Sequence, residues 1–388
     1  MLIGKEKRMN FNFNQEEQDI LNMLKDFAVN EVAPKAAEVD ENERFPAETW
    51  HALAEMGMMG VAFPEEYGGA GMSYLTYIGV CEELAKHCAT TSVMVSAHSS
   101  LCTWPISEFG TEEQKQKYLP KLCTGEWLGA FGLTEPGAGS DAAGQKTTAV
   151  DKGDHWLLNG SKIFITNAGF ANVFVIFAMT DKSLGTRGIS AFIVEKDYPG
   201  FKVGAHEKKM GIRGSSTCEL VFEDCKVPKE NLLGELNKGF KVAMATLDGG
   251  RIGIGAQALG IAQAAIDECK KYTTERVQFG KRISQFQNTQ FELADMQTKV
   301  DAARLLIYRA AQAKQDHEAY GHMAAMGKLY ASEVASDVTR RCVQLVGGYG
   351  YTREYPFERY MRDAKITEIY EGTSEVQRMV ISGWMGVK

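Results

Sequence analysis

The chain has 388 residues, the length of two or three domains, with 44% apolar and 24% charged residues. That is an ordinary globular mix with ample material for buried cores. Lys plus Arg is 43 against 50 Asp plus Glu, a net charge of −7, which argues against a nucleic-acid binder that works by broad phosphate neutralisation.

Met1 to Arg8 is short and basic and lacks the apolar run of a secretory signal, so Met9 reads as an alternative start. Up to about Gly125 the pattern is helical. Glu16 to Val32 repeats apolar residues at Ile20, Leu21, Leu24, Phe27 and Ala28, a 3.6-residue period. Further helices are predicted from Pro46 to Gly57, over Tyr74 to His87, and over Glu112 to Leu122 behind a Thr111 cap. The uncharged stretch from Cys88 to Ser107 is rich in Ser and Thr and does not read as a membrane span.

From about Leu128 the texture turns to strands. Thr147 to Val150 is a short one. Trp156 to Leu158, then Asn159-Gly160, then Lys162 to Ile165 reads as a hairpin with a tight turn. Val173 to Met179 is apolar enough for a buried strand, and Ile189 to Val194 and Cys218 to Phe222 follow. Long helices return at Lys238. Ile252 to Ile266 carries no charge, and Phe291 to Ala313 and Met323 to Val346 are amphipathic. The expectation is an α+β multidomain fold: an N-terminal α-helical domain (1–127), a middle β-barrel or sandwich (128–237), and a C-terminal four-helix bundle (238–388). The 8 Cys are scattered without Cys-x-x-Cys or zinc spacing. They read as reduced, mostly buried thiols of a cytosolic protein, with no metal site expected.

Five segments could carry chemistry. In Thr134 to Ala142, Gly137, Gly139 and Ala142 fit a dinucleotide fingerprint, but Pro136 precedes it and a strand-like stretch follows, so the strand-to-helix context is missing. A Gly-rich loop can still offer backbone N–H groups to a cofactor; an ordinary surface turn explains it as well. Lys162 to Asn167 ends a strand in Thr166-Asn167, and a turn preference for Asn accounts for that too. Arg276 to Arg282 is either a phosphate-binding loop or a solvated basic turn. Gln344 to Tyr351 has more Gly than a helix cap needs. Ile369 to Glu375 places Glu371 where burial would raise its pKa and strengthen it as a base, with Thr373 and Ser374 capping a helix from Glu375; a solvated Glu in a loop remains the alternative.

Taken together and in order, Phe131 to Asp141, Phe164-Ile165-Thr166, Leu247 to Arg251, Arg276 with Phe279-Gly280, Gln344 to Gly348 and Ile369 to Thr373 resemble the acyl-CoA dehydrogenase family. The resemblance spans the chain from about Met9. Arg251 to Ile254 and Ala364 to Glu375 bring it nearest the short-chain, butyryl-CoA type. It implies FAD, a homotetramer, an acyl-CoA substrate, and electron transfer to an electron-transfer flavoprotein. Phe131, Gly132, Leu133, Thr134, Glu135, Pro136, Gly137, Ala138, Gly139 and Ser140, with Phe164, Ile165 and Thr166, would line the flavin. Arg276, Phe279 and Gln287, with Gln344, Leu345, Val346, Gly347 and Gly348, would hold its diphosphate and adenosine, largely from a neighbouring subunit. Thr373, Ser374 and Glu375 would bind it beside the base. Ser140, Asp248, Gly249, Gly250, Arg251 and Gly372 would contact the acyl-CoA. Glu371 would be the catalytic base. In some relatives the base precedes the Arg on the helix; here that position is Gly250, which leaves the role to Glu371. Phe164 stands where many relatives have Trp. Rival readings on the same residues are an enoyl-CoA reductase, an acyl-CoA oxidase, a branched- or medium-chain dehydrogenase, and a silent acyl-CoA- or flavin-binding protein.

Overall fold

The structure, a computed structural model, describes residues 13–387; the reading of Met1 to Arg8 and of Met9 falls outside them. Among the described residues the first helices are α1 (Gln15–Phe27), α2 (Ala36–Glu41), α3 (Ala47–Glu55), α4 (Tyr74–His87), α5 (Ala89–Ser96), α6 (Trp104–Phe109) and α7 (Glu112–Cys123). Asn14 with Glu17, and Thr111 with Gln114, close reciprocal capping boxes that start α1 and α7. A π-helical segment, Ala97–Thr103, joins α5 to α6. Among the described residues no helix is long and apolar enough to cross a membrane.

Eight strands follow: β1 (Gly129–Gly132), β2 (Thr148–Asp151), β3 (His155–Thr166), β4 (Val173–Met179), β5 (Ile189–Glu195), β6 (Phe201–His206), β7 (Thr217–Pro228) and β8 (Leu232–Leu233). They pair in the order β6-β7-β3-β2-β4-β5-β8, with β1 parallel to β4. Every position of β4 is buried because its alternate residues serve two cores. Val173, Val175 and Phe177 pack on Ile106, Leu119 and Leu122 of the helices. Phe174 meets Phe201 (4.9 Å between ring centroids), and Trp156 meets Phe192 (5.4 Å). These rings come from strands far apart in the pairing order, so the sheet curls over its own core.

The expected hairpin at Asn159-Gly160 is not a turn. Both residues lie inside β3, one continuous strand paired with β7, with a register shift between Leu158 and Gly160. Gly160 takes φ 142°, and a Cβ there would lie 2.5 Å from Thr147 Oγ1. The Gly serves a bulge and a close approach to a neighbouring segment. Asn159 uses its side chain to accept from the Asp224 N–H (2.9 Å) and donate to the Asp224 carboxylate (3.0 Å) on β7.

The last third holds α8 (Gly239–Glu275), the two-stranded hairpin β9 (Val277–Gln278) and β10 (Lys281–Arg282), α9 (Gln287–Gln315), α10 (Gly321–Val346), α11 (Gly348–Tyr351), α12 (Phe357–Ile366) and α13 (Ser374–Trp384). From Ile252 to Ile266 every residue except Gln263 is buried, as an uncharged helix requires. α8 packs on α9, α10 and α4, and α12 and α13 pack on α10. The helical, sheet, helical order follows the sequence reading.

Candidate active site

Glu371 sits in the loop between α12 and α13, held at φ 53° beside Gly372 at φ 96°. Its Oε2 is shielded from solvent and has no hydrogen-bond partner among the described residues. Burial pushes its pKa up to about 8, while the charges of Lys328 and Arg251 oppose the rise. Among the described residues no protein acceptor takes its backbone N–H. The carboxylate abuts α8: a Cβ built on Gly250 would lie 2.2 Å from Oε2 and 2.8 Å from Leu101 Cδ2.

Asp248 to Arg251 form one turn of α8 beside this carboxylate. Arg251 is 4% exposed, and its Nη1 donates to Asp248 Oδ1 (2.5 Å). Tyr74 from α4 donates to the Gly249 carbonyl (3.0 Å). The Lys314 ammonium, without a hydrogen-bond partner among the described residues, lies over the rings of Tyr74 (4.3 Å) and Trp104 (4.4 Å). The structure therefore joins Asp248, Gly249, Gly250 and Arg251 to Glu371 and Gly372. Thr373 accepts from the Val376 N–H as the N-cap of α13, so that helix starts at Ser374, one residue before the expected Glu375. The Ser374 side chain is buried and Glu375 is exposed.

A second group gathers at the end of β1. Phe131 and Gly132 close the strand, and Leu133 turns into the core. Glu135 and Ala138 exchange backbone hydrogen bonds around Pro136-Gly137. The Glu135 side chain faces inward: Lys162 Nζ lies 2.7 Å from its Oε1 and also donates to the Leu133 carbonyl (3.1 Å) and Gln145 (3.0 Å). Burial would raise the Glu135 pKa, but Lys162 and the N–H groups of Lys146 and Thr147 hold it below the usual range. Ile163 donates to the Thr134 carbonyl (2.9 Å), which ties this loop to the Phe164 bulge. Phe164, at φ 60°, is 59% exposed, whereas Ile165 is buried in the sheet and Thr166 is half-buried. So the Glu135 and Ile165 side chains brace the loops from inside, and Pro136, Gly137, Gly139, Ser140 and Phe164 are the exposed members.

The third group lies elsewhere. Arg276 ends α8 with its guanidinium 5.6 Å from the Tyr349 ring, Phe279 is 94% exposed at the tip of the β9–β10 hairpin, and Gln287 is exposed at the start of α9. Gln344 is exposed, Leu345 half-buried and Val346 buried at the end of α10, where Gly347 turns the chain at φ 72°. Gly250 and Arg276 are 26 residues apart on one unbroken helix, so about 40 Å separates them. Arg276 is therefore remote from Glu371 of its own chain.

The sites suit a flat, extended, anionic cofactor. A Cβ at Gly137, Gly139, Gly347 or Gly348 would meet nothing within 4 Å, which leaves these backbone segments open. Phe164 presents an aromatic ring outward, and Arg276 suits a diphosphate. Sequence reasoning missed Lys328, Gln377, Lys162 and Lys314. Lys328 left a faint signal, since it shares an apolar stripe of α10 with Ala324, Ala331 and Ala335.

A curled sheet thus stands between helical layers, and a carboxylate oxygen shielded from solvent faces a bare glycine of α8. Family models for the N-terminal, middle and C-terminal domains of acyl-CoA dehydrogenases match residues 14–126, 130–225 and 237–386. The chain belongs to the acyl-CoA dehydrogenase family. It is 58% identical to a short-chain specific acyl-CoA dehydrogenase of Clostridium acetobutylicum, over 97% of this chain and 99% of that one. It superposes on the butyryl-CoA dehydrogenase of Megasphaera elsdenii with a TM-score of 0.96 and 52% identity, covering 97% of this chain and 100% of the other. A chain in the structure reported for the electron transferring flavoprotein of Acidaminococcus fermentans gives a TM-score of 0.96 and 55% identity, covering 97% and 99%.

Proposed function

We propose that the protein is an FAD-dependent short-chain acyl-CoA dehydrogenase that converts a saturated thioester such as butyryl-CoA to its α,β-unsaturated product. The buried, unpartnered Glu371 carboxylate against Gly250, beside Asp248 and Arg251, carries this reading. FAD, when bound, supplies the acceptor for the hydrogen that leaves Cβ with its electron pair. Glu371 takes the proton from Cα. Its burial strengthens it as a base and excludes water from the reacting carbons. Its free backbone N–H is a donor for the thioester carbonyl, whose oxygen gains negative charge as the α-proton leaves. Gly250 keeps the wall opposite the base low enough for a thioester to enter.

Ser140, Asp248 to Arg251 and Gly372 are the proposed acyl-CoA contacts. Phe131 to Ser140, Phe164 to Thr166 and Thr373 to Glu375 are the proposed flavin contacts, Glu135 and Ile165 through their backbones. The roughly 40 Å span of α8 between Gly250 and Arg276 supports an oligomer, a homotetramer by the family resemblance, in which Arg276, Phe279, Gln287 and Gln344 to Gly348 serve a neighbour's FAD. Electrons would leave to an electron-transfer flavoprotein, in keeping with the Acidaminococcus structure. All 8 Cys are free and buried, which supports a reducing, cytosolic setting.

Anaerobic titration with butyryl-, hexanoyl-, octanoyl- and isobutyryl-CoA tests the reading. Butyryl-CoA should bleach the flavin band most effectively, and Glu371→Gln should bind flavin yet stay unbleached. Normal bleaching of that variant would overturn the base, and preference for octanoyl- or isobutyryl-CoA would overturn the short, straight-chain assignment.

A further inference from the structure

Two successive left-handed residues, Glu371 and Gly372, need support, because a non-Gly residue at positive φ is strained. The support comes from two fully buried side chains. Lys328 Nζ, from α10, donates to the Gly372 carbonyl (2.8 Å). Gln377 Nε2, from α13, donates to the same carbonyl (2.8 Å) and to the Glu371 carbonyl (3.2 Å). A Cβ at Gly372 would strike Gln377 Nε2 at 2.7 Å, so the loop is seated tightly on this clamp. Lys328 is an expensive residue to bury without a task, since an ammonium in an apolar helix interface loses its hydration.

We propose that Lys328 is a positioning residue for the reaction: it fixes the left-handed Glu371–Gly372 turn through the Gly372 carbonyl, and its charge favours the ionised carboxylate. The proposal rests on Glu371 being the base. The charged and titratable groups facing Glu371 are Lys328 from α10, Arg251 from α8, Tyr74 and Cys81 from α4, and its neighbour Tyr370. Burial pushes the Tyr74 and Tyr370 hydroxyls far above their usual range and the Cys81 thiol up to about 12, so none of these three is charged near neutrality. Lys328 and Arg251 are then the cations that oppose the rise in the Glu371 pKa. Burial brings Lys328 itself down to about 8, with Glu371 opposing that fall. Glu368 and Glu375 also face Lys328.

The test compares kcat–pH profiles of the flavin-loaded enzyme. Lys328→Met should move the midpoint of the acidic limb upward by about one pH unit or more, the size of a nearby charge effect. At neutral pH kcat should fall about tenfold, while KM for butyryl-CoA changes little because Lys328 does not touch substrate. Gln377→Met removes a donor but no charge, so it should lower kcat and leave the midpoint in place. If Lys328→Met does not fold, Lys328→Gln removes the charge while keeping a donor, and it should show the same upward shift. An unmoved midpoint in the Lys328 variants, with Glu371→Gln inactive, overturns the proposal and leaves the base intact. An active Glu371→Gln overturns the base itself.

Discussion

The Glu371 carboxylate and Gly250 compete for one volume. A side chain at position 250 and the carboxylate of Glu371 would point at the same spot, and only one can fill it. A Cβ 2.2 Å from Oε2 must displace either the carboxylate or Leu101. Gly250→Ala should keep its flavin and lose roughly tenfold in kcat, since small misplacements of a reacting group are costly; steady-state kinetics at equal flavin content checks this. The raised pKa sets the pH dependence. Only the ionised form of Glu371 accepts a proton, and burial places its titration at about 8 in the free enzyme. kcat/KM should therefore climb as pH rises through about 8, and a flat profile between pH 6 and 9 would contradict a buried base. The residues flanking Glu371 left a solvated loop Glu as open as a buried one, and the family resemblance of Ile369 to Thr373 singled it out. The sequence hid Lys328, because a lone Lys in an apolar helical stripe looks the same whether its ammonium reaches solvent or a buried carbonyl.

At the scale of elements, buried polar groups fix the loops that carry the exposed motif residues. His98, in the π-helical segment, is fully buried between helix and sheet. Its Nε2 bonds the Leu122 carbonyl (3.0 Å), and its Nδ1 accepts from the Gly129 N–H (3.0 Å), which pins the start of β1. Only a neutral imidazole can do both. Burial pushes its pKa down to about 4, with the Leu122 carbonyl opposing. The unfolded chain then binds a proton that the folded chain refuses, so stability falls as pH drops from about 6.5 towards 4. The loss from this one group is about 3 kcal/mol; denaturant titrations of wild type and His98→Gln at pH 7 and pH 4.5 should differ by that order. Lys162, on β3, anchors the Glu135 loop in the same way. Lys162→Met strands the Glu135 carboxylate in the interior and should cost about 3–5 kcal/mol, partly recovered by adding Glu135→Gln. β4 and the uncharged stretch of α8 were legible because unbroken apolar runs allow few alternatives. The Asn159-Gly160 bulge was not, because the same dipeptide serves a tight turn and a strand that must pass close to Thr147.

Across the whole molecule, the length of α8 separates Glu371 and Gly250 from Arg276, two groups that the proposed function assigns to one site. If Arg276 serves a neighbouring chain, each site combines Glu371 of one subunit with Arg276 of another. Co-expressing Arg276→Ala and Glu371→Gln chains should then rebuild sites with both residues intact. Activity should exceed the sum of the two separate variants, and mixed assemblies without any gain would argue for self-contained subunits. The order of the motifs was readable along the chain, and the family resemblance implied a division between subunits; the distance behind that expectation was not readable, since it depends on how far a straight helix carries the motifs apart.

The proposed proton removal by Glu371 can be tested without turnover. Incubating the enzyme in deuterated water with a thioester that binds but cannot be dehydrogenated isolates the Cα step, and mass spectrometry reads the label. Wild type should wash deuterium into Cα, and Glu371→Gln, with flavin bound, should not. Exchange at the wild-type rate in that variant would mean that another group removes the proton.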